Sequence, residues 1–338
     1  MIGIRADGNS KIGTGHIMRC LTIAGALSKQ DTAPLFFCID GGDMVEKAGF
    51  DCVRLEGVYD DLSGEDLSAQ LSRHGVTTLL VDSYFAGAGY YDRLPKNVHT
   101  ARIFDLGDPA VPCDLLIDYN INFNDFNFPH AGKVLLGPRY APLREEFSTA
   151  PKRQRESISQ VLITVGGADG NNVAEKLMRA VAGERGLDGV FFHVVSGAAN
   201  PWADSLAEAA STYSGRFLVH QNVQDMAALM NIADAALTAG GSTLYELCAM
   251  GVPCVALSIA DNQDRMVEAM EGAGIMISAD RVAGARDAQC AARELAILRQ
   301  HPAQVRRMAK AARSMVDGAG ARRIAYEMIQ LDNRGPNV

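Results

Sequence analysis

The 338-residue sequence lacks the features that several classes of protein require. It has no excess of basic residues, since 32 Lys and Arg stand against 40 Asp and Glu and give a formal net charge of -8. Nucleic-acid-binding and anionic-membrane-binding proteins need a basic surface, so we expect neither kind of partner. No apolar run approaches the roughly 20 residues of a membrane span. We therefore expect a cytoplasmic protein without a secretory leader.

Cysteine and histidine are present without the spacing of a metal site. The seven cysteines are odd in number and include no C-x-x-C pair, which is typical of reduced core residues rather than of disulfides or zinc ligands. The seven histidines include no H-x-x-x-H or H-E-x-x-H motif. We expect no metal ion and no other cofactor.

Short apolar runs alternate with helical patterns along the chain. The runs are continuous, as in "MIGIRA" and "TTLLVDS", which is typical of parallel strands covered on both faces. The alternation of strand and helix patterns stops at 134–157, a stretch with three prolines and a run of charged residues. We interpret this stretch as the connection between an N-terminal domain, 1–150, and a C-terminal domain, 151–338, whose last helices are candidates to return to the first. The predicted fold class is α/β, with two Rossmann-like doubly wound domains.

Three strand-to-helix junctions are rich in glycine: "GNSKIGTGH", "VGGADGNN" and "TAGGSTLYE". In an open parallel sheet such turns lie at the carboxyl ends of the strands, where ligands bind, and helix N-termini attract phosphate. Because glycine lets the backbone approach an anion closely, Gly13, Gly15, Gly167 and Gly241 are candidate substrate contacts. No turn matches G-x-G-x-x-G or the Walker pattern. The sequence therefore indicates a phosphate-bearing ligand without supporting dinucleotide binding or ATP hydrolysis.

The third turn places Ser242 and Thr243 at the start of a predicted helix, with Glu246 one turn inside. One interpretation is structural, with Ser242 capping the helix and Glu246 closing a capping box. The other is a nucleotide site, in which the carboxylate accepts hydrogen bonds from both ribose hydroxyls. The two glycines before Ser242 and the later "ADNQ" segment favour the second interpretation.

His16 follows the first glycine turn at the start of a predicted helix. The positive helix end disfavours imidazolium, and neutral imidazole is the form that a general base needs. From the residues alone, His16 is equally well a polar residue of the first turn. Asp82 ends a predicted strand and is either an active-site group or a loop cap, and Asp105 ends the next strand.

Six segments together resemble a known family, the UDP-sugar hydrolases of pseudaminic acid biosynthesis. They are "RADGNSKIGTGHIMRC", "VDSY", "CDLLIDYNIN", "LLGPRYAPLREEF", "VGGADGNN" and "GGSTLYELCAMGVPCVALSIADNQ". The last block is shared with the related GT-B glycosyltransferases and specifies only a UDP-sugar site. The "IGTGH" block together with "GPRYAPLR" points to the hydrolases.

The resemblance implies a GT-B fold, with two domains facing across a cleft. It also implies hydrolysis of UDP-2,4-diacetamido-2,4,6-trideoxy-β-L-altropyranose to free sugar and UDP. It assigns catalysis to His16 and an active-site role to Tyr84. The loop 119–130, "YNINFNDFNFPH", departs from the family pattern and leaves the sugar pocket unassigned.

The resemblance also implies the nucleotide contacts of the C-terminal domain. It assigns the nucleotide to Ser242, Thr243 and Glu246, with Glu246 on the ribose. It assigns the uracil to the backbone at Val223. It assigns the sugar and the diphosphate to Asn262 and Gln263. The expected partners are thus the UDP-sugar substrate and the UDP product, bound by a monomer.

The expected reaction is direct attack of water on the anomeric carbon, with His16 as base, Tyr84 orienting water or sugar, and Asp82 supporting them. Three alternatives remain. A glycosyltransferase needs an acceptor groove, and for lipid acceptors an apolar or basic patch, neither of which the N-terminal half shows clearly. A hydrolysing epimerase needs further acidic groups around the sugar C2. A non-catalytic UDP-sugar-binding protein has no need of His16.

Overall fold

The computed structural model describes residues 1–62, 66–105, 107–167, 169–197, 199–213, 215–279 and 288–335. The chain divides into two compact units. The first contains Met1–Arg144 together with the C-terminal segment from Ala319, and the second contains Glu145–Gly318. Each unit is built around its own parallel sheet.

The first unit contains a seven-stranded sheet. Its strands are β1 (Ile2–Ala6), β2 (Leu35–Cys38), β3 (Cys52–Arg54), β4 (Thr78–Asp82), β5 (His99–Ile103), β6 (Cys113–Asp118) and β7 (Ala131–Leu136). They lie in the order β3-β2-β1-β4-β5-β6-β7, with parallel pairing between neighbours. The helices that follow these strands are α1 (Gly15–Ser28), α2 (Gly42–Lys47), α3 (Leu67–His74) and α4 (Ala88–Tyr91).

The second unit contains a six-stranded sheet. Its strands are β8 (Gln160–Thr164), β9 (Phe191–Ser196), β10 (Phe217–Gln221), β11 (Ala235–Ala239), β12 (Cys254–Leu257) and β13 (Met276–Ser278). They lie in the order β10-β9-β8-β11-β12-β13, again with parallel neighbours.

The helices of the second unit flank this sheet. They are α5 (Glu146–Thr149), α6 (Val173–Gly183), α7 (Ala203–Ser211), α8 (Met226–Ile232), α9 (Thr243–Met250), α10 (Asp264–Gly272), α11 (Ala288–Arg299) and α12 (Pro302–Met315). The last helix of the chain, α13 (Gly320–Asp332), packs against α1 in the first unit. Of the last helices, which the sequence made candidates to return to the first domain, α13 belongs to the first unit, whereas α11 and α12 belong to the second.

The central strands explain the fold class. Every residue of β1, β4 and β11 is buried, as the continuous apolar runs predict for parallel strands covered on both faces. Ile4 in the first sheet and Leu237 in the second are fully buried. The predicted α/β class with two doubly wound domains is confirmed.

The interpretation of 134–157 as a connection is wrong at its start. Val134–Leu136 belong to β7, which pairs with β6. Because β7 is the edge strand of its sheet, Lys133 and Val134 are exposed. The inner strands were recognised by their continuous apolar runs. An exposed edge strand lacks such a run, so its sequence is not distinguished from that of a loop.

Candidate active site

Both sheets reverse their strand order near the centre. In the first sheet β1 lies beside β4, and in the second β8 lies beside β11. The loops that leave the carboxyl ends of two such strands run to opposite faces of the sheet and leave a crevice between them. His16 and Tyr84 follow β1 and β4 in the first unit, and Gly167 and Ser242 follow β8 and β11 in the second. Other predicted residues of the second unit follow the strands β10 and β12.

In the first unit, the crevice brings His16 and Asp82 together. Asp82 is the last residue of β4 and pairs in register with Ala6, the last residue of β1. The loop after β1 leads into α1, whose second residue is His16. His16 and Asp82 are both buried, and His16 Nδ1 lies 2.6 Å from Asp82 Oδ1. The loop-cap interpretation of Asp82 is not observed, since its carboxylate contacts side chains.

The charge state of Asp82 decides what His16 can do. Burial opposes ionisation of this carboxyl, but the charge and hydrogen bonds of Arg19 and the hydrogen bond of His16 outweigh burial and hold the pKa of Asp82 well below its usual range. An ionised carboxylate only accepts hydrogen bonds. Nη2 of Arg19 also lies 3.0 Å from His16 Nδ1, but its shorter contact, at 2.6 Å, is with Asp82 Oδ1. We therefore assign the proton to Nδ1 of His16, directed at Asp82, which leaves Nε2 as an acceptor.

Tyr84 lies against the histidine. Its ring meets the His16 ring edge to face, with centroids 4.4 Å apart and planes at 81°. Its hydroxyl donates a 3.2 Å hydrogen bond to Asp105 Oδ2. Burial and the neighbouring charge of Asp105 raise the pKa of Tyr84, so the phenol is a neutral donor.

Arg19 was missed in the sequence, although it connects all these groups. It follows His16 by three residues on α1, close to one helical turn, so both side chains lie on the same face. Its Nε and Nη2 each donate a 2.6 Å hydrogen bond to one oxygen of Asp82. Its Nη1 donates to Asp105 Oδ2 at 3.0 Å and to the Tyr119 hydroxyl at 2.7 Å. The spacing of three residues between His16 and Arg19 on a predicted helix was the available signal.

Asp105 and Tyr119 follow the next two strands of the sheet, β5 and β6. Asp105 is thus an observed neighbour of the site, as its position at a strand end predicted. Tyr119 is the first residue of the loop 119–130, which the sequence left without a role. Its hydrogen bond to Arg19 joins this loop to the site.

A small depression leads to His16. It is lined by Asp7, Ile12, His16, Tyr59, Asp82, Ser83, Tyr84 and Phe85. The aromatic rings of Tyr59 and Phe85 meet edge to face at 5.9 Å. The access to His16 is therefore bordered by aromatic rings.

The glycine turn before α1 is a defined structure. Asn9 Oδ1 accepts hydrogen bonds from the backbone N–H groups of Lys11 and Ile12, and Asn9 pairs with Gly13. Gly13 has a φ of +76°, which favours glycine. Gly15 is the first residue of α1, and no atom lies within 4 Å of where a Cβ would stand on either glycine. The backbone is thus accessible at both predicted contacts.

In the second unit, the predicted nucleotide residues also follow strand ends. Gly167 comes after β8 and Val223 after β10. Gly241 lies between β11 and α9, and a Cβ on Gly167 or Gly241 would meet no atom within 4 Å. These residues therefore share the carboxyl edge of one parallel sheet.

The helix start at Ser242 does not use its side chain as a cap. Ser242 is exposed, has helical backbone angles and makes no side-chain capping hydrogen bond. Thr243 is the first residue of α9, and Glu246 lies in its first turn. The capping hydrogen bond that the structural interpretation assigns to Ser242 is therefore not observed.

Gln263 ends the short turn Asp261–Gln263 after β12. Its Oε1 accepts a 3.0 Å hydrogen bond from the backbone N–H of Ile259, which orients the amide. A Cβ on Gly240 would lie 3.0 Å from the Cβ of Gln263 and 2.5 Å from Val267. Gly240 thus permits this turn to pack against β11. The side chain of Asn262 lies outside the described part of the structure.

No protein-family model matches the chain, but several curated proteins do. It is 24% identical over 275 residues to the uncharacterized protein MJ1062 of Methanocaldococcus jannaschii, with 76% of this chain and 55% of that protein covered. It is 21% identical over 336 residues to the spore coat polysaccharide biosynthesis protein SpsG of Bacillus subtilis, with 96% of each covered. The chain therefore spans about half of MJ1062 and nearly all of SpsG.

A third relative carries an activity in its name. The chain is 25% identical over 272 residues to the UDP-2,4-diacetamido-2,4,6-trideoxy-beta-L-altropyranose hydrolase of Campylobacter jejuni, with 77% of this chain and 92% of that protein covered. This similarity confirms the resemblance predicted from the six sequence segments.

Solved structures show the same architecture. MurG of Acinetobacter baumannii aligns with a TM-score of 0.68 at 14% identity, covering 97% of this chain and 99% of that one. The calicheamicin glycosyltransferase CalG4 aligns with a TM-score of 0.63 at 17% identity, covering 98% of both. At these identities the likeness is one of fold, and it supports the GT-B class.

Two further classes of feature are absent from the described residues. None of their helices combines the length and apolar character of a membrane span. Within the same ranges, no group of three or more His, Cys, Asp or Glu side chains is arranged to hold a metal ion.

Proposed function

We propose that the protein is a UDP-sugar hydrolase that releases UDP and free sugar from a UDP-linked 2,4-diacetamido-2,4,6-trideoxyhexose. The observation that carries this proposal is the 2.6 Å contact between His16 Nδ1 and the ionised Asp82. It leaves Nε2 of His16 as a base beside an aromatic-lined depression. The resemblance to the Campylobacter jejuni hydrolase supports the substrate.

The reaction needs one proton transfer in its bond-making step. Water attacks the anomeric carbon, its proton passes to Nε2 of His16, and the bond from that carbon to the UDP oxygen breaks, with the electron pair leaving on UDP. Asp82 stabilises the imidazolium without taking the proton, since Arg19 keeps it ionised. Tyr84, packed on the His16 ring, orients the water or the sugar. Direct attack gives inversion at the anomeric carbon.

The second unit holds the nucleotide in this proposal. The backbone at Gly241 and the hydroxyls of Ser242 and Thr243 contact the diphosphate at the start of α9. Glu246 accepts the ribose hydroxyls, and the backbone at Val223 contacts the uracil. Gln263 and Asn262 contact the sugar and the diphosphate. In the first unit, the Gly13–Gly15 turn supports the charge that develops on the leaving group.

A glycosyltransferase is the second candidate. The chain is 32% identical over 197 residues to a Sorangium cellulosum transferase that acts on pyrophosphoryl-undecaprenol, covering 56% of this chain and 48% of that protein. In that case His16 would deprotonate an acceptor hydroxyl instead of water.

One assay separates the two candidates. Purified protein is incubated with a panel of UDP-diacetamido-trideoxyhexoses and UDP-N-acetylhexosamines in ¹⁸O-labelled water, and UDP and sugar are measured. Hydrolysis predicts UDP release without added acceptor and one ¹⁸O atom on the sugar anomeric carbon. UDP release that requires an acceptor alcohol would reject the hydrolase in favour of the transferase.

A further inference from the structure

Arg19 is a buried cation whose donors are directed inward. Only 13% of its side chain is exposed. Nε and Nη2 are bonded to the two oxygens of Asp82, and Nη1 is bonded to Asp105 and Tyr119. Nη2 also lies 3.0 Å from Nδ1 of His16. Each of the three nitrogens thus donates within the protein. The guanidinium is therefore not arranged to receive a substrate phosphate, and its role must lie in what it holds.

The bond to Asp82 has two parallel N–H···O contacts, the geometry that fixes a carboxylate most firmly. It sets both the charge of Asp82 and the direction of Oδ1 toward His16. Asp105 Oδ2 accepts from Arg19 Nη1 and from the Tyr84 hydroxyl alike. A single side chain therefore determines the arrangement of His16 through Asp82 and of Tyr84 through Asp105.

We propose that Arg19 is the positioning residue of the site, which keeps Asp82 as an anionic acceptor and thereby fixes His16 in the tautomer with a bare Nε2. The effect of Arg19 on kcat rests on the proposed hydrolase function. The effect of Arg19 on the tautomer and protonation of His16 is independent of that function.

Loss of Arg19 has a specific chemical consequence. A buried carboxylate without a cationic partner takes up a proton more readily, because burial disfavours its charged form. A protonated Asp82 would donate to Nδ1 of His16, which moves the imidazole proton to Nε2. An Nε2 that carries a proton cannot accept one from water. The titratable and charged groups around Asp82 that affect its protonation are Asp7, His16, Arg19, Cys20, Tyr84, Tyr91, Asp105 and Tyr119.

The decisive experiment compares wild type, Arg19→Met and Arg19→Lys by long-range ¹H–¹⁵N spectra of the imidazoles across pH, with His16→Asn to assign the His16 signals. Wild type is expected to show Nδ1–H and a bare Nε2. In Arg19→Met the carboxyl of Asp82 should take up a proton more readily, because a neighbouring cation is lost, and the signal of a protonated Nε2 should appear at a higher pH than in wild type. The spectra of Arg19→Lys should lie between those of wild type and Arg19→Met, because lysine keeps the positive charge.

Arg102→Met is the matched control. Arg102 is a buried arginine of β5 in the same unit, and its Nη1 donates to the carbonyl of Asp108. Its loss should lower stability without moving the His16 titration. If Arg19→Met is poorly folded, Arg19→Ala titrated with free guanidinium takes its place, and recovery of the wild-type spectrum is expected.

The kinetic arm follows the same variants. In Arg19→Met, kcat should fall by up to the roughly 10²–10⁴-fold that a general base contributes, with a KM close to wild type and an acid limb at higher pH. A His16 tautomer and titration unchanged in folded Arg19→Met would overturn the proposal. If wild type hydrolyses no UDP-sugar but the spectra change as expected, the hydrolase function fails and the role of Arg19 stands.

Discussion

Tyr84 and Asp105 are joined by a 3.2 Å hydrogen bond from the phenol to Oδ2, while the Tyr84 ring packs on His16. The two contacts can be separated by mutation. Tyr84→Phe keeps the ring and loses the hydrogen bond, for which a cost of about 1 kcal/mol, or roughly a fivefold fall in kcat, is expected. Tyr84→Ala loses both contacts and should fall further.

Steady-state kinetics on a UDP-sugar tests whether kcat falls further in Tyr84→Ala than in Tyr84→Phe. Phe85→Ala is the comparison that removes another ring from the depression. Because Phe85 does not touch Asp105 in the described contacts, this variant separates the loss of aromatic lining from the loss of the Tyr84 contacts. Equal rates for Tyr84→Phe and Tyr84→Ala would show that ring packing contributes nothing.

Glu246 is expected to bind the ribose of UDP. A hydrogen bond to a charged group contributes about 1.5–3 kcal/mol, so Glu246→Ala should weaken UDP binding about ten- to a hundredfold in calorimetric titration. Glu268→Ala, which changes an exposed carboxylate on α10 of the same unit, should bind as wild type. Wild-type affinity in Glu246→Ala would remove Glu246 from the nucleotide site.

His193 and His220 make the second unit sensitive to acid. Their rings are linked by a 2.9 Å contact from Nδ1 of His193 to Nε2 of His220. Burial lowers the pKa of both from the ordinary value of 6.5, and the charge of His220 lowers that of His193 further. The folded chain thus binds fewer protons than the unfolded chain near this pH, so stability is full above 6.5 and falls as pH drops below it.

The measurement is the free energy of unfolding in urea at pH 7.5 and 5.5. His220→Gln should lose less stability between these values than wild type does, whereas His130→Gln, at an exposed histidine, should behave as wild type. An equal loss in His220→Gln and wild type would contradict the account.

The sequence was sufficient to predict the sheet class and the proximity of several residues of the candidate site. Asp82 and Tyr84 stand at a strand end, and parallel topology brings such ends together, so their neighbourhood with His16 follows from order along the chain. Arg19 could not be placed in this way. Whether an arginine on a helix points to solvent or to a buried carboxylate depends on the packing of α1 on the sheet.

Tyr119 and β7 were missed for related reasons. Tyr119 gains its role from a distant residue, Arg19, one hundred positions away in the chain. The edge strand β7 has exposed residues that local pattern does not distinguish from a loop. Pairings between remote segments are fixed by the tertiary fold and leave no periodic signal.

His16→Asn tests the central claim most directly, because asparagine can still donate toward Asp82 but supplies no base. The account predicts a fall in kcat of about 10²–10⁴-fold with UDP affinity within about threefold of wild type, while Met18→Ala, at an exposed position of the same helix, retains activity. The contrary result is a strong loss of UDP binding with kcat within a few-fold of wild type. His16 would then be a phosphate contact, and the base would have to be sought at Asp82 or Tyr84.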